Sequence, residues 1–181
     1  MLKLISFLFG RRREAAQTGE LYRAIVEQSR KSDFYSRLGV PDSLDGRFDM
    51  IILHAFLVMR RLGRVGTEGA ALSQSLFDLL FADMDSSLRE IGVGDLSVGK
   101  KVKIMAQAFY GRIEAYESGL GAHDGVALKT ALARNLYGTV PPPEEGLDIM
   151  AAYVRRADAI LALQPDNEIM AGNPAFSSPL W

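Results

Sequence analysis

The sequence predicts a single all-α domain of six to seven helices, and three observations lead there. Apolar residues recur at spacings of three and four through most of the 181 residues, the signature of amphipathic helices. The windows that carry this pattern are separated by short breaks rich in Gly, Pro and Ser. β-Branched residues are scattered, and alternation never lasts long enough to specify a strand. The length suits one domain, and no internal repeat is visible.

The elements follow in order. Residues 20–30 place Leu21, Ile25 and Val26 on one face, and a shorter amphipathic piece with Phe34, Tyr35 and Leu38 comes next. Gly39, Pro41 and Asp42 make a turn, after which Ser43 can cap the third segment. That helix runs to about Leu62, with Phe48, Ile51, Ile52, Ala55, Met59 and Leu62 at helical spacing. Its middle, 50–59, is nearly all apolar, so it is predicted to be the central, most buried helix. Gly63 and Gly66 end it and Thr67 can cap the next, striped by Leu72, Leu76, Leu79, Leu80, Met84 and Leu88 to about Glu90. Residues 92–97 read as a loop with Ser97 as the following cap. Val98, Val102, Met105, Phe109, Ile113 and Tyr116 then mark a helix of about five turns. Gly119 and Gly121 punctuate it, and Asp124 starts a helix through Leu128, Ala131, Leu132 and Leu136. Pro141, Pro142 and Pro143 form a stiff break before a last helix on Leu147, Met150, Ala151, Val154 and Leu161. From 164 onward periodicity stops and three of the seven prolines occur, which predicts a mobile tail. The expected organisation is therefore an apolar-basic segment at 1–13, a helical domain at 14–163 and a flexible tail at 164–181.

Charge and composition narrow the function. Lys and Arg number 21 against 22 Asp and Glu, a net charge of −1, so no global basic field calls for nucleic acid. The absence of cysteine removes disulfides, thiol catalysis, Cys-ligated zinc and iron–sulfur clusters. The balance is uneven along the chain: residues 1–13 carry Lys3, Arg11, Arg12 and Arg13 with no acid, +4, which leaves −5 for the remainder. Leu4, Ile5, Phe7, Leu8 and Phe9 share that segment, which is too short to span a bilayer. It reads either as an interfacial foot, with the apolar turn in lipid and Arg11, Arg12 and Arg13 on anionic headgroups, or as a start that packs on the core.

Few groups are arranged for chemistry. Gly94, Gly99 and Lys100 have the spacing of a phosphate-binding loop, but Lys101 stands where the motif needs Ser or Thr, and no strand precedes it. Asp83 and Asp85 suggest a paired-carboxylate metal site, yet no third ligand stands beside them and Arg89 is placed to pair with Asp85. His54 lies in the apolar run of the central helix and His123 in a Gly-flanked loop, with no zinc spacing between them. No metal or other cofactor, and no catalytic residue, is expected. Arg60 and Arg61 complement the dipole of their own helix. Gly111 sits in mid-helix between Tyr110 and Arg112, which marks either a close helix approach or contact with a partner.

Four stretches carry a resemblance: LHAFLVMRRL (53–62), LFADMDSSLREIGVGDLSVGKKVK (80–103), AFYGRIEAY (108–116) and ALARNLYG (131–138). Together they resemble the ubiquinol–cytochrome c chaperone family. The resemblance implies a non-enzymatic assembly factor for respiratory complex III that holds newly made cytochrome b, a hydrophobic membrane-protein client. It places Asp83, Asp85, Arg89, Tyr110, Arg112 and Asn135 in recurrent motifs, as candidates for fold support or client contact. No Arg/Ser-rich transit peptide opens the chain, which looks like the shorter bacterial relatives; a cytoplasmic protein at the inner face of the plasma membrane is expected, and a separate mitochondrial-type partner protein is not carried over. The alternatives are a membrane-peripheral scaffold for another client and a phosphate-binding enzyme using the loop at 94–101.

Overall fold

The computed structural model describes residues 2–122 and 124–179, with side chains from Arg12 onward. Among them there is no strand. Six helices longer than one turn make the body: α1 (Leu2–Ser29), α3 (Leu44–Leu62), α4 (Thr67–Glu90), α5 (Asp95–Gly121), α6 (Val126–Leu132) and α7 (Gly146–Leu163). Two short helices, α2 (Asp33–Ser36) and α8 (Asp166–Met170), lie beside them. The predicted all-α class is what the chain adopts.

The central helix is α3, as its composition requires. Met50 through Val58 are all buried, and α3 packs against α1, α4, α5 and α7. A helix apolar on every face has to be enclosed on every face. Ser43 caps it, accepting a hydrogen bond from the Gly46 amide at 3.1 Å, which satisfies one of the donors left free in a first turn. Around it, Leu21, Ile25, Leu72, Leu76, Leu80, Phe109, Tyr116, Leu128, Leu132, Met150, Val154 and Leu161 complete one continuous core. Burying each large side chain contributes roughly 1.5–3 kcal/mol.

Several boundaries shift from the sequence expectation. α1 begins at Leu2 rather than near Glu20, and from Glu14 onward it runs beside α4. Its contacts with α4 repeat at a constant offset: Ser75 Oγ donates to Glu14, and Tyr22 OH donates to Asp83 at 2.6 Å. Both pairs are 61 residues apart, so α1 and α4 run parallel. α4 is capped by Gly66, with Thr67 as its first helical residue. α5 starts at Asp95 behind Gly94, and Ser97 lies inside its first turn. After Leu132 the backbone widens into a π turn, Ala133–Tyr137, that ends at Gly138.

Beyond Leu163 the sequence shows no periodicity, yet the chain makes α8 and then an extended segment that is hydrogen-bonded to the body as far as Ser178. Side-chain-to-backbone bonds hold its extended part, while Ile169, Met170 and Phe176 pack on the core without forming a periodic stripe. Arg61 anchors the turn into α8. Its guanidinium donates to Leu161 O at 2.8 Å and Gln164 O at 2.7 Å and pairs with Asp166. Arg61 thus satisfies the free carbonyls at the end of α7, in addition to sitting at the end of its own helix.

Candidate functional site

The motif residues fall into three groups. The first centres on Arg112, which α5 directs at α3. Arg112 Nη2 lies 2.7 Å from Asp49 Oδ1, and both side chains are mostly buried. Tyr116, one turn along α5, is fully buried beside them, and Asn135 reaches the same place from the π turn. Asp49 Oδ1, Arg112 Nε, Tyr116 OH and Asn135 Nδ2 all lack a hydrogen-bond partner with full geometry. Burial pushes the Asp49 carboxyl up to about 6, against the opposing pull of Arg112. Burial first, then the Asp49 charge, raises the Tyr116 hydroxyl far above neutral pH. Two of the six candidates, Arg112 and Asn135, therefore meet here. Asp49 and the polar role of Tyr116 were not foreseen. Asp49 stands just before the apolar run, and only the fold brings it opposite a residue 63 positions away.

The second group is braces. Arg89 pairs with Asp85 at 2.6 Å, as the spacing of four predicts, and also with Asp95 across the α4–α5 turn. Asp83 takes the hydroxyl of Tyr22, and burial together with Asp83 raises that phenol. These carboxylates hold helices together. Among the described residues, no group of three or more His, Asp or Glu could hold a metal ion. Gly94, Gly99 and Lys100 form no cradle either, since Gly99 and Lys100 lie within helical α5; the phosphate-loop alternative is overturned.

The third is a surface. Tyr110 is 60 % exposed, with its ring resting on Phe77 at 5.7 Å. Leu96, Lys100, Lys103, Gln107 and Tyr110 follow one another at spacings of three and four along the solvent side of α5, and Ile104 and Gly111 flank that row. Leu96 is wholly exposed, Ile104 is 54 % exposed, and Ile91 at the end of α4 adds 61 %. A Cβ added at Gly111 would meet nothing within 4 Å, so the close-approach reading of that glycine fails. The close approach belongs to Gly119, where a Cβ would stand 2.7 Å from Leu128 Cα. That glycine lets α6 lie against α5.

His54 is part of the structure of the core. Burial pushes it down to about 4, so the ring is neutral at pH 7. Its Nδ1 lies 2.8 Å from Met50 O and its Nε2 2.7 Å from Tyr153 OH. The consistent assignment has Nδ1–H donating to the carbonyl and Nε2 accepting from tyrosine. Gln28 Nε2 donates to the same tyrosine oxygen at 2.9 Å.

At the N-terminus, Arg12 and Arg13 are exposed. The side chains of Leu4, Ile5, Phe7, Leu8, Phe9 and Arg11 lie outside the described residues, as does His123. No helix of the described residues is long and apolar enough to cross a membrane.

Comparison with known proteins now decides the family. Residues 36–176 match the family model described as ubiquinol-cytochrome C chaperone. The chain belongs to this family. A solved structure, the Cbp3 homolog from Brucella abortus, is 34% identical, superposes with a TM-score of 0.87, and is covered over 98% of its length by 99% of this chain. Ubiquinol-cytochrome-c reductase complex assembly factor 1 of Xenopus laevis is 24% identical over 160 residues, 88% of this chain and 80% of the relative. The Mus musculus protein is also 24% identical, over 136 residues, which are 75% of this chain but only 46% of that longer relative. The matched stretch of this chain, 36–176, includes both the Asp49–Arg112–Tyr116–Asn135 cluster and the exposed α5 row.

Proposed function

We propose that this chain is a non-enzymatic assembly chaperone for respiratory complex III that holds newly made cytochrome b at the membrane. The observation that carries the reading is the exposed row on α5. Leu96, Ile104 and Tyr110 are large apolar or aromatic side chains with no covering element among the described residues, interleaved with Lys100 and Lys103. Such a row suits a hydrophobic client segment with polar flanks. The names of the relatives and the family support a client in complex III assembly. Reaction chemistry has little to stand on, because the buried titratable groups are spent on helix packing.

The test is a photo-crosslinking amino acid at position 110 in cells, with a control at Gln74 on α4. Cytochrome b captured from 110 and not from 74 supports the reading, and Tyr110→Ala with Ile104→Ser should lower assembled complex III several-fold without changing the melting temperature. Normal complex III in a deletion strain would overturn it. The membrane-holding part rests on residues 2–13, and removing them should weaken partition onto anionic vesicles. Unchanged partition would remove the foot from the proposal.

A further inference from the structure

The extended segment 173–179 is bound to the body in an unusual way. Gly172, with φ +93, turns the chain onto α1, where a Cβ would stand 2.7 Å from Glu20 Cβ and 3.0 Å from Gln17 O. From there the segment runs along the groove between α1 and α7 without secondary structure of its own. Body side chains hold its backbone at four points. Gln164 Nε2 donates to Asn173 O at 2.5 Å, and Gln164 Oε1 accepts from the Ala175 amide at 3.0 Å. Gln28 Nε2 donates to Ser177 O at 2.8 Å, and Arg156 donates to Ser178 O at 3.1 Å. The prominent side-chain contact is Phe176, whose ring meets His54 edge-on at 5.4 Å. Main-chain bonds for affinity and one aromatic pocket for selectivity are how extended peptides are recognised in trans.

We infer that the α1–α7 groove is a peptide-binding site, filled in cis by residues 173–179, that takes in trans an extended segment of another protein carrying one aromatic anchor. Two features make the occupant exchangeable. The floor remains hydrogen-bonded without it, since the Gln28–Tyr153–His54–Met50 chain is closed within the body. The segment is also only partly buried at 174–177 and exposed at Asn173 and Ser178, so within 173–179 only Pro179 has to leave a buried site. Pro174 and Pro179 restrict the segment toward extended conformations, which lowers the ordering cost of any similar peptide. The site is separate from the α5 row: it is formed by α1 and α7, with α3 as its floor.

The experiment uses the full chain and a fluorescein-labelled peptide of sequence Asn-Pro-Ala-Phe-Ser-Ser-Pro, with anisotropy as the readout. Wild-type protein should bind it weakly because the cis segment competes. Phe176→Ala should bind it at least tenfold more tightly, and the same peptide with Ala in place of Phe should lose that gain. Equal binding by wild type and a folded Phe176→Ala, judged by its circular dichroism melt, would overturn the inference. Should that variant not fold, Phe176→Leu takes its place and is read by the same two outcomes.

Discussion

Asp49 and His54 sit five residues apart on α3, on different faces, and the polar groups around them are built in opposite ways. On the His54 side every ring nitrogen has a partner, and Tyr153, Gln28 and Ser29 share the load. On the Asp49 side the tie is a single ion pair, Asp49–Arg112, with Tyr116 and Asn135 beside it. A closed buried network fixes one arrangement of the helices that supply it, here α1, α3 and α7. A single ion pair fixes less, because it ties only α5 to α3. The two faces of one helix therefore divide the molecule into a firmly specified side and a more permissive side. The permissive side is the one that carries the family motifs on α5 and the π turn.

The largest expected effect falls on the closed side. His54→Ala removes a fully buried ring and leaves the Tyr153 hydroxyl without its acceptor, which should cost about 3–5 kcal/mol in urea unfolding. A loss under 1 kcal/mol would mean that the network is not what joins α1 to α7.

Acid titration compares the two sides directly. His54 is held below its usual value, at about 4, so the unfolded chain binds the extra proton between 6.5 and 4 and stability falls as pH drops through that window. Asp49 is raised to about 6, so the folded chain binds the extra proton between 3.8 and 6 and stability falls as pH rises there. The two opposing slopes, each up to about 3 kcal/mol in total, should largely cancel between pH 4 and 6. Asp49→Asn should unmask the histidine slope in melting temperatures across that range. An unchanged profile would show that Asp49 titrates normally.

The smallest effect is expected for removing the charges together. Asp49→Leu with Arg112→Met replaces a poorly satisfied ion pair by apolar volume and should change stability by less than about 1 kcal/mol, whereas Asp49→Leu alone strands a buried guanidinium and should cost more. Equal losses in single and double variants would make the pair a true partner of the His54 network in fixing the fold.

The all-α class, the central place of α3, the Ser43 cap and the Asp85–Arg89 pair were legible in the sequence, because each depends on residues close along the chain. The register of 61 between α1 and α4, the Asp49–Arg112 pairing and the reach of Arg61 to the end of α7 were not. Each joins residues more than 60 positions apart through faces that periodicity alone cannot match. The segment at 173–179 escaped for another reason: its partners read mostly its backbone, and the one aromatic side chain that docks, Phe176, forms no periodic pattern. Gly111 and Gly119 show the same limit from the other direction. Both lie within one helix, and only the neighbour at Leu128 tells them apart.

The parallel run of α1 beside α4 has an electrical consequence. Neighbouring helices usually alternate in direction and their dipoles oppose; α1 and α4 instead point the same way, so two amino ends, each worth about half a positive charge, lie at one pole against the carboxyl end of α3 at Leu62. Arg12 and Arg13 stand on α1 toward that pole, so in a chain with a net charge of −1 side-chain and backbone positive charge gather at the same end of one helix. Under the proposed membrane reading, that end is the one that would meet an anionic surface first.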